Sequence, residues 1–552
     1  DSRVRMAIIG MDAQFGGCDG LEAYSQTVYD GKQHFVPLPA KRWKGLSEDA
    51  PVGAYIESFE IDFLRFKFPP KEDDQPTPQH LLLLKVADNA VRDARLQEGE
   101  NVVVIVALGT ELSLHQYRSR LDLSWQIEDS LRQAGIQLAD DGANSQDLTD
   151  VVKNAISPTG QVNQYTSYIG NIVSSRVSSL WNFSGPAFTL SASENSVMKA
   201  LEVAGLLLRD DAIDAVVLGA VDLAGGIENV LLRREDTPIN SGTATLSFDQ
   251  NANGWQVGEG AGAVVLRRAD RAHGQGVYAT LESVTIVPGT DAAAVATAAQ
   301  SALDAAGVRA EQVGLMEVAA SGSADQDTAE IVGLNQVYGG VHSAPLESAL
   351  TAIGSAAANI GNTGAASGMA SLIKAALCLH RRFIPATPHW TAPKLPEVWQ
   401  KNVFYVAPTS RTWFRTGAQA RYASLSGISA EGASTHVILS DNDVIRQQTI
   451  HTSSYLRDQA FRLFPISAND GDELIRRLDW LENALNAGES LASLARQAFA
   501  AFGQNKPYAL ALVGRDQAAL LREIQLARKG VPAAFERSEE WLTPAGSCFA
   551  PH

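Results

Sequence analysis

The sequence predicts a large layered α/β domain over about residues 1–445 and a smaller α/β unit over about residues 455–552. Three observations carry this expectation. Short continuous apolar runs recur along the chain, as expected for strands buried on both faces. Between them lie segments with apolar residues three and four apart, the period of a helix face. A polar stretch from Asp441 to Ser454 then interrupts the pattern, and a shorter strand–helix alternation resumes after it.

The first strand candidate is Ala7-Ile8-Ile9, which ends at Gly10. Val102 to Val106, Ala215 to Leu218 and Ala263 to Leu266 are further apolar runs, with shorter candidates at Leu315 to Val318 and Val437 to Leu439. Val197, Ala200, Leu201, Ala204, Leu207 and Leu208 form one helix face; Ala366, Met369, Ala370, Ile373 and Leu377 form another. Both faces are rich in small residues and both follow a turn of small residues. Such a helix can lie close to its neighbours, so two helices buried mid-molecule and a duplicated architecture are expected. In the second unit, strands are expected at Phe461 to Pro465 and Tyr508 to Val513, and helices over 472–486, 490–502 and 516–529. Trp541 to Ser547 reads as the lead-in to a further domain, and the missing initial Met reads as a piece of a longer polypeptide.

Composition excludes several classes. The 552 residues carry a formal charge of −17, which argues against nucleic acid, where Lys and Arg must neutralise phosphates. It also argues against anionic membrane surfaces. No apolar run reaches the roughly 18 residues that span a bilayer, and the N-terminus lacks a signal peptide's layout. Cys18, Cys378 and Cys548 are far apart and match neither a disulfide framework nor a metal site, so a reduced cytoplasmic setting without a metal is expected. Cys378 lies in an apolar helical stretch and reads as a small buried hydrophobe.

The ten histidines are scattered and match no metal or nucleophile motif. Gly258-Glu259-Gly260-Ala261-Gly262 precedes a strand, the reverse of the order that a dinucleotide fingerprint needs. Close backbone packing is therefore its expected role, and no bound cofactor is expected. Lys41, Arg42 and Lys44 beside Trp43 read either as a solvated loop or as a docking patch for an acidic partner such as a carrier protein.

Several motifs then fall in order. Gly185-Pro186-Ala187-Phe188-Thr189-Leu190-Ser191-Ala192-Ser193-Glu194-Asn195-Ser196 is similar to the G-P-x-x-x-x-D-T-A-C-S-S-S segment of the β-ketoacyl synthase family. Phe248-Asp249, Gly254 and Gly258 to Gly262 resemble that family's F-D-x-x-x-x-G-x-x-x-G-E-G-A-G. Ala319-Ala320-Ser321-Gly322-Ser323 aligns with H-G-T-G-T, with Asp327 and Glu330 at the acidic positions that anchor it. Ala357-Ala358-Asn359-Ile360-Gly361-Asn362 resembles K-S-N-I-G-H, and Ile428 to His436 matches the family's last glycine-rich loop, keeping Gly432 and His436. The resemblance covers about residues 5–440 and implies a thiolase-like α-β-α-β-α fold with duplicated halves. Residues 455–552 resemble the small linker domain that follows such synthases. Tyr165 to Asn171 and Val36 to Trp43 carry a likeness to the chain-length-factor domains of bacterial polyunsaturated fatty acid synthases.

In the family, a cysteine at a helix start forms a thiolate and takes an acyl chain from a carrier protein. Two histidines and a lysine support decarboxylation and condensation. This chain has Glu194 at the cysteine position, Ala319 and Asn362 at the histidine positions and Ala357 at the lysine position. An acyl–carboxylate anhydride at Glu194 would hydrolyse rather than wait, Ala319 offers no proton donor, and Asn362 cannot shuttle a proton. Glu194 then reads first as a polar plug at the helix start. The resemblance implies a chain-length factor: a non-condensing partner that pairs with an active ketosynthase domain, lines its acyl tunnel and limits product length. Carrier protein would bring its phosphopantetheine to the partner's site, beside neighbouring synthase domains. Tyr117, Tyr165 and Tyr168 are the candidate tunnel or interface residues. The rivals are a docking scaffold ahead of an acyltransferase and a malonyl-carrier decarboxylase, which in loading synthases keeps the histidines that are missing here.

Overall fold

The structure is a computed structural model; it describes residues 4–43, 50–68, 76–110, 112, 114–136, 143–156, 166–223, 225–272, 276–339, 351–399, 403–414, 420–441, 461–503 and 506–550. The chain divides into two compact units, residues 1–448 and 449–552.

Eleven strands form the sheet of the first unit: β1 (Met6–Phe15), β2 (Val102–Leu108), β3 (Ala187–Leu190), β4 (Ala215–Asp222), β5 (Gly260–Arg268), β6 (Ala279–Pro288), β7 (Val313–Glu317), β8 (Thr351–Gly354), β9 (Phe404–Tyr405), β10 (Tyr422–Ser429) and β11 (Ala433–Ser440). Their order is β9-β8-β7-β10-β11-β6-β1-β5-β4-β2-β3. The duplication is legible in that order. In the first half β2 pairs parallel with β3 and β4, β4 antiparallel with β5, and β5 antiparallel with β1. In the second half β7 pairs parallel with β8 and β10, β10 antiparallel with β11, and β11 antiparallel with β6. The halves join where β1 and β6 pair antiparallel from Met6↔Leu281 to Ile8↔Ala279.

Both small-faced helices are buried between the halves, as the sequence predicts. Helix Ser196–Leu207 packs on β2, β4 and β6, and helix Ser367–Arg381 on β10, β5 and β1, so each touches strands of both halves. They approach closely at Gly368, where an added Cβ would lie 3.0 Å from Val197 Cβ. Helix Pro78–Asp93 covers the first half from outside and helix Ala292–Ala306 the second. The layers are therefore α-β-α-β-α. Cys378 is buried in the core, as expected, and burial pushes its thiol pKa up.

Two expectations need correction, and two elements escape the sequence reading. Gly10 does not end the first strand, which runs on to Phe15. A Cβ there would sit 2.5 Å from the Ala90 carbonyl oxygen, so this glycine admits helix Pro78–Asp93 against the strand. That helix escapes periodicity, because Leu81 to Leu84 run consecutively and all are buried. Strand β10 escapes it for the opposite reason: Ser424, Ser426 and Ser429 are buried among its apolar residues. Asp441 belongs to the first unit, tied by its carboxylate to the Arg421 guanidinium at 2.7 Å and to the Arg421 N–H at 2.7 Å. Residues 442–454 of the expected linker lie outside the described residues.

In the second unit, strand Arg462–Ala468 pairs antiparallel with Tyr508–Gly514. Helices Gly471–Asn486, Leu491–Ala500 and Gln517–Arg537 pack on the sheet, each started by a side-chain cap from Asp470, Ser490 or Asp516. The stretch read as the lead-in to a further domain begins a strand pair that completes this sheet, Trp541–Leu542 with Cys548–Phe549. Buried Phe549 packs against Tyr508 and Phe535, and the Ser547 hydroxyl accepts the Val513 N–H at 2.9 Å.

Candidate functional site

The ends of the two duplicated motifs meet around one small cavity. Each buried helix is preceded by a 3-10 turn, Ser193–Asn195 in the first half and Gly364–Ala366 in the second. Glu194 occupies the first turn. Gly258, just before β5, supports the loop opposite: its own Cβ position lies 2.3 Å from the Ile360 carbonyl oxygen, so only glycine lets residues 360–362 settle there. The Asn362 N–H donates to the Gln256 carbonyl at 2.8 Å, fixing the loop to the same segment. Close backbone packing is thus the role of this glycine-rich motif, as expected from its order.

The residue-319 loop is held by two buried carboxyls. The N–H groups of Ala319 and Ala320 donate to Glu330 at 2.9 and 3.0 Å, and the Ser426 hydroxyl donates to Glu330 at 2.7 Å. The Ser321 hydroxyl and the Gly322 N–H both donate to Asp327 at 3.3 Å. Burial, only partly offset by these donors, pushes the Glu330 pKa up to about 7 and that of Asp327 up to about 6. The backbone is left-handed at Ser193 (φ 46°) and Ala320 (φ 46°), each adjacent to a site position. Such strain persists where surrounding structure over-determines the chain.

The structure brings Glu194, Ala319, Ala357 and Asn362 to one cavity of about 40 Å³. Among the described residues that line it, Glu194 is the one ionisable group; the rest are small, apolar or hydroxyl-bearing, or carry an amide. Next to it lies an open cleft of about 720 Å³, which Glu194 also lines, together with Arg233 and Trp255.

Glu194 is clasped by groups that no motif in the sequence marks. Arg233 Nη1 lies 3.3 Å from Glu194 Oε1. The Ala430 N–H, from the turn between β10 and β11, donates to Oε2 at 3.4 Å. The Ser193 hydroxyl donates to Glu431 on the same turn at 3.0 Å. Arg233 comes from helix Ile227–Asp236, a segment with no family motif, and its guanidinium lies 4.5 Å from the Trp255 ring centroid. It also donates to Asn362 Oδ1 at 3.1 Å, which accepts the Gly364 N–H at 2.9 Å as well. Only its neighbours in the fold single Arg233 out.

The remaining candidates fall elsewhere. Arg42 turns towards the protein: its Nη1 donates to the fully buried Glu259 at 3.0 Å, and its guanidinium lies 5.4 Å from the Tyr55 ring centroid. A buried carboxylate draws it inward, and Glu259 accepts the Ile56 N–H at 2.9 Å too. The Lys41 side chain and the whole of Lys44 lie outside the described residues. So does Tyr165, while Tyr117 lies on helix Leu114–Gln133 with its side chain outside the description. Tyr168 is half-buried in the turn before helix Gly170–Leu180, and is not among the described residues lining the cavity or the cleft. Among the described residues no cluster could hold a metal ion, and no helix is long and apolar enough to cross a membrane.

Comparison with known proteins agrees with this geometry. The chain is 34% identical over 596 residues to a polyunsaturated fatty acid synthase polypeptide of Thraustochytrium sp., covering 100% of this chain and 28% of that protein. It is 23% identical over 516 residues to polyketide synthase PksL of Bacillus subtilis, covering 88% of this chain and 10% of that one. Among solved structures, PfaC Keto synthase-Chain length factor is similar at TM-score 0.67 and 35% identity, over 82% of this chain and 47% of that one. The ketosynthase from module 6 of the bacillaene synthase of Bacillus subtilis shares the fold at TM-score 0.62 and 20% identity, over 99% of this chain and 87% of that one. The chain thus spans well under two thirds of the length of these two synthases and of the PfaC structure. Residues 3–272 match the Beta-ketoacyl synthase, N-terminal domain, and residues 274–391 the Beta-ketoacyl synthase, C-terminal domain, the break falling just ahead of β6 where the second half starts. With both halves of the fold and both parts of the match in register, the chain belongs to the β-ketoacyl synthase family.

Proposed function

We propose that this chain is a chain-length factor: a non-condensing member of the family that pairs with an active ketosynthase domain and shapes its acyl tunnel in polyunsaturated fatty acid synthesis. One observation carries the reading. The four positions where the family places its cysteine, two histidines and lysine converge on one cavity, and here they supply Glu194, Ala319, Asn362 and Ala357. A thioester arriving there meets no thiolate and no proton shuttle. The likeness to a structure named for a keto synthase and a chain length factor supports a partner on the same polypeptide, since this chain covers 47% of it. Carrier protein would deliver its phosphopantetheine arm to that partner's cysteine, with neighbouring synthase domains completing the assembly in the cytoplasm. A decarboxylase is disfavoured, because no histidine lines the cavity among the described residues and the Glu194 carboxylate would repel an incoming malonate.

The test is reconstitution of the adjoining ketosynthase domain with and without this chain. The reading expects condensation to fail without it, and Tyr165→Ala or Tyr117→Ala to lengthen or broaden the products. Retained condensation with misdirected acyl transfer would favour the docking scaffold instead. Unchanged products for both variants would remove these tyrosines from the tunnel.

A further inference from the structure

Glu194 and Ser321 line both the inner cavity and the outer cleft, so they stand on the boundary between the two. Ser321 is fixed from behind by Asp327. Glu194 is fixed from the cleft side, by Arg233 at 3.3 Å and the Ala430 N–H at 3.4 Å. Arg233 is the hub of this arrangement. It reaches Glu194 on the turn of the first half and Asn362 on the loop of the second, and it lies on the buried Trp255 ring. One side chain thereby ties together two motif positions that come from opposite halves of the duplication. Burial lowers Arg233's pKa, and the nearby Glu194 and Asp222 carboxylates oppose that fall.

We propose that Arg233 is a positioning residue that latches Glu194 across the passage from the outer cleft to the inner cavity, barring a thioester-borne acyl group from this chain's own vestigial site. The proposal deepens the chain-length-factor reading and rests on it only in taking acyl thioesters as what the latch excludes. The pair is partly exposed, with side-chain exposures of 23% and 22%, so its effect on stability is small and its effect on access is the informative readout.

A reporter thiol measures that access. Cys18 and Cys378 are buried and Cys548 is exposed, so a Cys548→Ser background is quiet towards iodoacetamide. Ala356→Cys places a thiol on the buried wall of the inner cavity, and Ser323→Cys places one in the outer cleft. Arg233→Leu is expected to speed iodoacetamide labelling at Ala356→Cys at least tenfold and at Ser323→Cys less than twofold. Arg233→Lys should restore slow labelling. If Arg233→Leu does not yield folded protein by circular dichroism, Glu194→Ala, which removes the barring side chain, replaces it with the same expectation. Equal rates at Ala356→Cys with and without the latch would overturn the proposal, as would equal acceleration at both reporters, which signals general loosening. Either failure leaves the reconstitution experiment untouched, and a failed reconstitution leaves the labelling result standing.

Discussion

Glu330 holds the backbone of Ala319 and Ala320 with a carboxyl that is 1% exposed, and its pKa stands near 7. A carboxyl whose folded pKa is raised stabilises the fold below its unfolded pKa, and that stability is lost as pH rises through the folded value. Between pH of about 4.5 and about 7 the wild type should therefore lose on the order of 2–3 kcal/mol relative to Glu330→Gln. Urea denaturation of both proteins at several pH values checks this, and a pH-independent difference would contradict it. At this scale the sequence carried much of the site. That Glu194, Ala319, Asn362 and Ala357 belong to one site was legible because flanking glycines and acids keep the motif register, and the four line one cavity. Arg233 was not legible, since a lone arginine on an amphipathic helix has no spacing to betray it. Nor was the inward turn of Arg42, which depends on a buried partner 217 residues away.

Helices and strands were legible where their pattern was pure, and lost where a backbone contact or a buried hydroxyl broke it. The two central helices stood out by their small residues, while helix Pro78–Asp93 and strand β10 did not. Gly258→Ala should push the loop carrying Asn362 away and destabilise the first unit by about 1–3 kcal/mol, because the clash is with backbone. Denaturant midpoints read the loss; an unchanged midpoint would mean the loop is not seated on this residue. Lys374, inside helix Ser367–Arg381, lies 2.7 Å from Glu317 at the end of β7, and both are at most 1% exposed. Lys374→Met leaves a buried carboxylate alone and should destabilise by about 3–5 kcal/mol. Adding Glu317→Leu should recover most of that loss, and a double variant as unstable as the single would show that the pair is not what holds these elements.

Across the whole molecule, the duplication explains how residues far apart in sequence meet at one cavity. Each half supplies a 3-10 turn and a buried helix, and the loops between them depend on glycines and carboxyls that the chain retains. Such a scaffold keeps its shape, and with it the surface that a partner domain would meet, whichever side chains line the cavity. The second unit carries its own core around Phe464, Leu478, Leu512 and Ile524 and needs none of these loops. The strand–helix alternation was enough for this division into two units, whereas the proposed tunnel contacts stay outside it, because Tyr165 and the Tyr117 side chain lie outside the described residues.

The most direct check of the central claim is intact-protein mass spectrometry of the purified chain after incubation with an acyl-carrier thioester and malonyl carrier protein. The account expects an unchanged mass, no extended product and no carbon dioxide release unless an active ketosynthase domain is added. An acyl adduct on this chain, or extension by it alone, would contradict the account.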